Sequence, residues 1–136
     1  MLGFTRIPVK VLKKILLIDR EPRVTQIVRQ ALEGAGRYSI REEHDTAFAL
    51  RAAHWFQPDL IMADLQTASS EGEVLALQLQ NDFALRDTPL LCLSDFVSER
   101  GFLSAGILSG YSFLATPVPL EQLLRAVEQM LFAARE

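Results

Sequence analysis

Leu60-Ile61-Met62-Ala63 is an uninterrupted apolar run, introduced by Pro58-Asp59 and closed by Asp64 and a polar loop that reaches Gly72. A short apolar run bounded by a proline and a polar loop reads as a β-strand buried on both faces. Asp64 stands at the carboxyl end of the strand. In open parallel sheets, ligands and chemistry gather outside the carboxyl ends of the strands, which makes Asp64 a site candidate. Taken alone, an aspartate there would equally cap a helix or begin a turn.

The rest of the chain alternates around this strand. Lys14 to Ile18 is a first buried strand, ended by Asp19-Arg20-Glu21, and Pro22 suits the first turn of a helix. Val24, Ile27, Val28, Ala31 and Leu32 fall on one helical face before Gly34 and Gly36 stop it. Tyr38 to Glu42 is a short strand. Phe48, Ala52, Trp55 and Phe56 form a second helical stripe, which places Trp55 in the core. Glu73 to Asn81 is ambiguous, because Leu75, Leu77 and Leu79 alternate as a strand would. The crossover needed between two buried parallel strands selects helix. Pro89 to Leu93 is a fourth strand ending at Ser94-Asp95. Ser98 to Ser109 reads as a helix, Tyr111 to Ala115 as a fifth strand ended by Thr116-Pro117, and Leu120, Leu123, Leu124, Val127 and Leu131 as a final amphipathic helix.

Five strands alternating with helices specify a doubly wound parallel sheet with helices on both faces, the flavodoxin-like arrangement. Right-handed crossovers would bring Asp19, Asp64 and Ser94 to one edge. A length of 136 residues suits one domain, and a 49% hydrophobic content suits a globular one. The net charge of −3 offers no general footprint for nucleic acid. Cys92, the one cysteine, lies inside an apolar run as a small buried hydrophobe, and no run is long enough to span a membrane. A cytoplasmic protein is expected. His44 and His54 have no sequence neighbours that support metal or catalytic work, so both are expected at the surface or an interface, and Ser69 and Ser70 read as solvated loop residues.

Over residues 13–133, between a basic arm at 1–12 and a tail at 134–136, the chain resembles the receiver domain of two-component response regulators. The resemblance rests on Lys14-Ile15-Leu16-Leu17-Ile18-Asp19 with Glu21-Pro22, on Pro58 to Asp64 and the spacing from Asp64 to Gly72, on Leu91-Cys92-Leu93-Ser94, and on Phe113-Leu114-Ala115-Thr116-Pro117. It implies that Asp64 accepts a phosphoryl group from a histidine kinase or phosphotransfer protein. It also implies that Asp19, Asp64 and the backbone carbonyl of Gln66 hold Mg²⁺, a hard ion that takes oxygen ligands. Ser94 would hydrogen-bond a phosphoryl oxygen, and Ser94 and Phe113 would be the switch residues.

The chain departs from the family in ways that bear on charge. Arg20 replaces the second metal-holding acid, Thr116 replaces the lysine that pairs with the phosphoacceptor, and Asp95 stands beside Ser94 where a small residue is usual. Phosphoryl transfer depends on cations that spread charge over the transferring oxygens. Arg20 would either bridge Asp64 or Asp19 and compete with Mg²⁺, or swing into solvent. Two functions follow: a phosphoaccepting switch, or a phosphorylation-independent receiver-like module that binds or dimerises constitutively. Partner binding would use the last helix-strand-helix surface, with a homodimer and a fused or separate output domain both compatible. A flavodoxin-like enzyme or cofactor binder is disfavoured, because Asp19-Arg20-Glu21-Pro22 stands where a Gly-rich phosphate loop would follow the first strand.

Overall fold

The computed structural model describes residues 11–64, 70–94, 107–108, 111–115 and 120–132, with side chains described at 11–63, 74–92 and 121–132. In chain order the elements are β1 (Lys13–Ile18), α1 (Pro22–Glu33), β2 (Tyr38–Glu43), a 3₁₀ turn (Thr46–Phe48), α2 (Ala49–Phe56), β3 (Leu60–Asp64), α3 (Ser70–Asn81), β4 (Leu90–Ser94), β5 (Ile107–Leu108), β6 (Tyr111–Ala115) and α4 (Leu120–Phe132). The sheet order is β2-β1-β3-β4-β6-β5. β2, β1, β3, β4 and β6 are mutually parallel, as expected for a doubly wound fold.

Strand alternation sorts the core into two layers, because successive side chains point to opposite faces. Leu16, Ile18, Ile61, Ala63, Leu90 and Cys92 pack under α2 and α3, against Ala49, Ala52, Ala53, Leu75, Ala76 and Leu79. Ile15, Leu17, Leu60, Met62 and Leu91 face the other way, against Val28 and Leu32 of α1 and Leu123, Val127 and Leu131 of α4. Leu60, Ile61 and Met62 of the central strand are all at most 2% exposed. Each such side chain contributes roughly 1.5–3 kcal/mol through burial.

Three expectations need correction or resolution. The alternating leucines of α3 are helical: Leu75 and Leu79 are buried while Leu77 is 55% exposed, whereas a strand would have buried all three together. Within the expected helix Ser98 to Ser109, Ile107 and Leu108 are strand, paired antiparallel with Ser112 and Tyr111 at the edge of the sheet. Only Ser109 and Gly110 separate these segments in sequence, and Ser-Gly is a turn signal that outweighs a weak helical stripe. The remainder of that expected helix lies outside the described residues.

Trp55 is not core; it is 71% exposed. α2 buries Ala49, Ala52 and Ala53, three small side chains that let the helix lie close to the sheet. At 3.6 residues per turn, Trp55 sits roughly 110° round from the middle of that face. The helix ends at Gln57, which adopts the left-handed conformation (φ 52°) immediately before Pro58, with its amide donating to the Ala53 carbonyl at 2.8 Å.

Candidate functional site

Backbone register assembles the carboxyl edge of the sheet. Ile18 lies opposite Ala63, so Asp19 follows β1 at the level of Asp64 in β3. Asp64 in turn lies opposite Leu93, one residue before Ser94, and Ser94 lies opposite Ala115. Asp19, Asp64 and Ser94 therefore converge on neighbouring strand ends, as the alternating pattern predicted. Phe113 lies in β6 opposite Cys92, two positions back from that edge. Gln66, Asp95 and Thr116 lie outside the described residues. Arg20 is exposed at the start of the first crossover.

Asp19 is the acid whose surroundings are visible in full atomic detail. Its side chain is folded back over the start of α1, where Oδ1 accepts the Glu21 amide at 2.8 Å, and the residue is only 7% exposed. Its own amide donates to the Glu43 carbonyl at 3.1 Å, which fastens the strand end to β2. A pocket of about 10 Å³, room for roughly one water, lies beside it, lined by Ile18, Val24, Thr25, Val28 and Met62 among others. Burial pushes the Asp19 carboxyl above its ordinary pKa; the Glu21 amide pulls it down, the Glu21 charge raises it and His44 lowers it.

That environment bears on a cation. A carboxylate pushed up by burial is one that a nearby positive charge would stabilise. A carboxylate is also the kind of hard oxygen ligand that Mg²⁺ takes. Asp19 thus fits the first position of a Mg²⁺ site. Among the described residues no group of three His, Cys, Asp or Glu side chains could hold a metal by itself.

Behind Asp19 stands a polar network that no local sequence pattern indicated. His44 Nδ1 donates to the Asp19 carbonyl at 2.9 Å, and its Nε2 lies 3.2 Å from Glu42 Oε1. Thr25, 2% exposed, bonds the same carboxylate at 2.8 Å, and its hydroxyl also lies 3.0 Å from the Pro22 carbonyl. Arg29 bridges Glu42 Oε2 at 2.8 Å and Glu33 at 2.9 Å. Burial alone would raise the Glu42 carboxyl, but the bonds from Arg29 and Thr25 and the charges of Arg29 and His44 outweigh it and hold it below its ordinary value. His44 is half-buried, so the expectation of a surface residue is met only in part. His54 is exposed as expected, and its Nε2 reaches Asp82 Oδ2 at 2.6 Å.

No protein-family model matches the chain. Among curated proteins it is similar to the DNA-binding dual master transcriptional regulator RpaA of Synechocystis sp., with 29% identity over 118 residues, covering 87% of this chain and 48% of that protein. It is also similar to the transcriptional regulatory protein TrcR of Mycobacterium tuberculosis, at 25% identity, covering 87% of this chain and 45% of the relative. The chain spans about half the length of these curated relatives. Among solved structures, the chemotaxis response regulator CheY4 of Vibrio cholerae superimposes with a TM-score of 0.71 at 22% identity, over 89% of this chain and 100% of that one. The receiver domain of a sensor histidine kinase from Pseudomonas aeruginosa PAO1, solved with magnesium coordinated in its active-site cleft, gives 0.72 at 22% identity, over 89% and 98%. The fold is that of response-regulator receiver domains.

Proposed function

We propose that this receiver domain works in two-component signalling with Asp64 as its phosphoacceptor, the unit being residues 13–133 between the arm at 1–12 and the tail at 134–136. The observation that carries the reading is the register that sets Asp19, Asp64 and Ser94 on adjacent strand ends. A carboxylate oxygen of Asp64 would attack the phosphorus of a phosphohistidine on a kinase or phosphotransfer protein. The new P–O bond forms as the P–N bond breaks, and the departing imidazole takes up a proton. Asp19, Asp64 and the Gln66 carbonyl would hold Mg²⁺, which supplies positive charge for the transferring oxygens. Ser94 would donate to a phosphoryl oxygen, and Phe113 would respond to its position. The chain is a signalling module rather than an enzyme, in the cytoplasm; no helix among the described residues is long and apolar enough to cross a membrane.

Similarity to transcriptional regulators about twice as long suggests a partner half that reads the state of the receiver. The last helix-strand-helix surface would change affinity for that half, or for a second copy, on phosphorylation. A second reading has its own support. Arg20 and Thr116 remove an acid and an ammonium from the site, which favours a module that binds without phosphorylation, with Arg20 bridging Asp64 or Asp19.

Intact mass after incubation with a small phosphodonor and Mg²⁺ separates the two, with Asp64→Ala as control. A gain of one phosphoryl group, absent in the control, supports the switch. A chain that no donor or cognate kinase labels would leave the constitutive module. A structure with Mg²⁺ coordinated by Asp19 and Asp64 would sink the Arg20 bridge.

A further inference from the structure

On the flank of α2 that faces away from the core, aromatic and cationic side chains alternate in one column. Phe48, Arg51 and Trp55 recur at the three- and four-residue steps that stack along a helix surface. Phe48 is 49% and Trp55 71% exposed. The Arg51 guanidinium lies over the Phe48 ring at 5.9 Å, and Arg41 reaches across from β2, the edge strand, to lie over Trp55 at 4.6 Å. The His54–Asp82 bond ties α2 to the turn after α3, where the pattern repeats: Phe83 is 84% exposed with Arg86 above it at 5.1 Å. None of these three arginines pairs with a carboxylate among the described residues. None of these groups belongs to the carboxyl-edge site.

We infer that the Phe48–Arg51–Trp55–Arg41 column is a docking surface for an acidic segment of a partner protein. Single exposed apolar residues are ordinary, but large aromatics grouped with arginine have the composition of the residues that dominate protein interfaces. Stacking on the rings already orders each guanidinium, so less rotamer freedom is lost when a carboxylate meets its planar fork. The planar forks set the occupant: Arg41 and Arg51, which pair with no carboxylate among the described residues, match the geometry of a carboxylate. Two stacked arginines on a chain of net charge −3 do not make the sustained cationic groove that a phosphate backbone requires.

Trp55 is the chain's one tryptophan, so its emission reports on this surface directly. The probe is a short amphipathic helical peptide with glutamates on one face and leucines on the other, titrated into the intact chain beside a lysine-for-glutamate counterpart and an oligothymidine. The acidic peptide should shift Trp55 emission saturably and bind more weakly as salt is raised. Arg41→Glu/Arg51→Glu, its fold checked by far-UV circular dichroism, should weaken that binding at least about tenfold and gain affinity for the lysine peptide. The salt titration tests the charge argument on the unaltered chain, even if the double variant fails to fold. No saturable shift with the acidic peptide, binding indifferent to salt or to charge reversal, or tighter binding of oligothymidine would each overturn the inference.

Discussion

Thr25→Val tests the network behind Asp19 with little change of shape. Thr25 is 2% exposed, and its hydroxyl lies 2.8 Å from Glu42 Oε1 and 3.0 Å from the Pro22 carbonyl. One hydroxyl hydrogen cannot serve both fully, and the shorter bond goes to the charged acceptor. Losing a hydrogen bond to a charged group costs about 1.5–3 kcal/mol. The methyl that replaces the hydroxyl returns roughly 0.8 kcal/mol of apolar burial. Glu42 keeps Arg29 at 2.8 Å, so the carboxylate is not orphaned. The expected net destabilisation is about 1–2 kcal/mol at neutral pH. With a urea slope of about 2 kcal/mol/M, the midpoint of unfolding followed by far-UV circular dichroism should fall by about 0.5–1 M.

The same variant carries a pH signature. Glu42 has a folded pKa held below the unfolded value of 4.5. Its ionised contacts therefore contribute fully above that value and are lost as pH falls through the lower folded one. The gap between the parent and Thr25→Val should be widest near neutrality and should narrow in acid. An unchanged midpoint at neutral pH, or a gap of constant size into acid, would show that the hydroxyl is not bonding an ionised Glu42 and would refute the reasoning.

Asp19→Asn should stabilise the chain at neutral pH while weakening Mg²⁺ binding, read by urea melts with and without the ion. Because burial raises the folded pKa of Asp19, its charge costs stability above that pKa and the cost disappears as pH falls through it, so the substitution should also flatten that part of the pH profile. Leu32→Ala empties a position with 0% exposure under α1 and should cost about 2–5 kcal/mol, seen as a lower urea midpoint with the fold retained. Burial pushes the Cys92 thiol up to about 12, so alkylation at mildly basic pH should proceed only at the rate of unfolding, and rapid labelling of the native chain would contradict the packing. Gln57→Gly should hold or raise the stability read from urea melts by up to about 1 kcal/mol, since glycine meets no steric cost at the observed φ of 52°, while the Gln57 side-chain bond to the His54 carbonyl is lost.

Buried parallel strands were legible in Ile15 to Ile18 and Leu60 to Ala63 because a strand covered on both faces has no polar alternation to preserve. Once those strands were placed, the chirality of crossovers left little freedom in where Asp19, Asp64 and Ser94 would meet. The sequence by itself therefore determined the five parallel strands and the site edge, which follow from local patterning and chain geometry, but not the antiparallel edge strand Ile107–Leu108.

Tertiary structure alone decided the phase of α2 and the surroundings of Asp19. Three alanines were enough to seat α2, and that close fit turned Trp55 outward although its neighbours spelled an apolar stripe. His44, Glu42, Thr25 and Arg29 come from β2, the turn after it and α1, and they meet only because β2 pairs alongside β1. Hydrogen bonds between residues 13 to 25 positions apart leave no periodic trace in a sequence, whereas burial of a strand on both faces leaves one in every residue it covers.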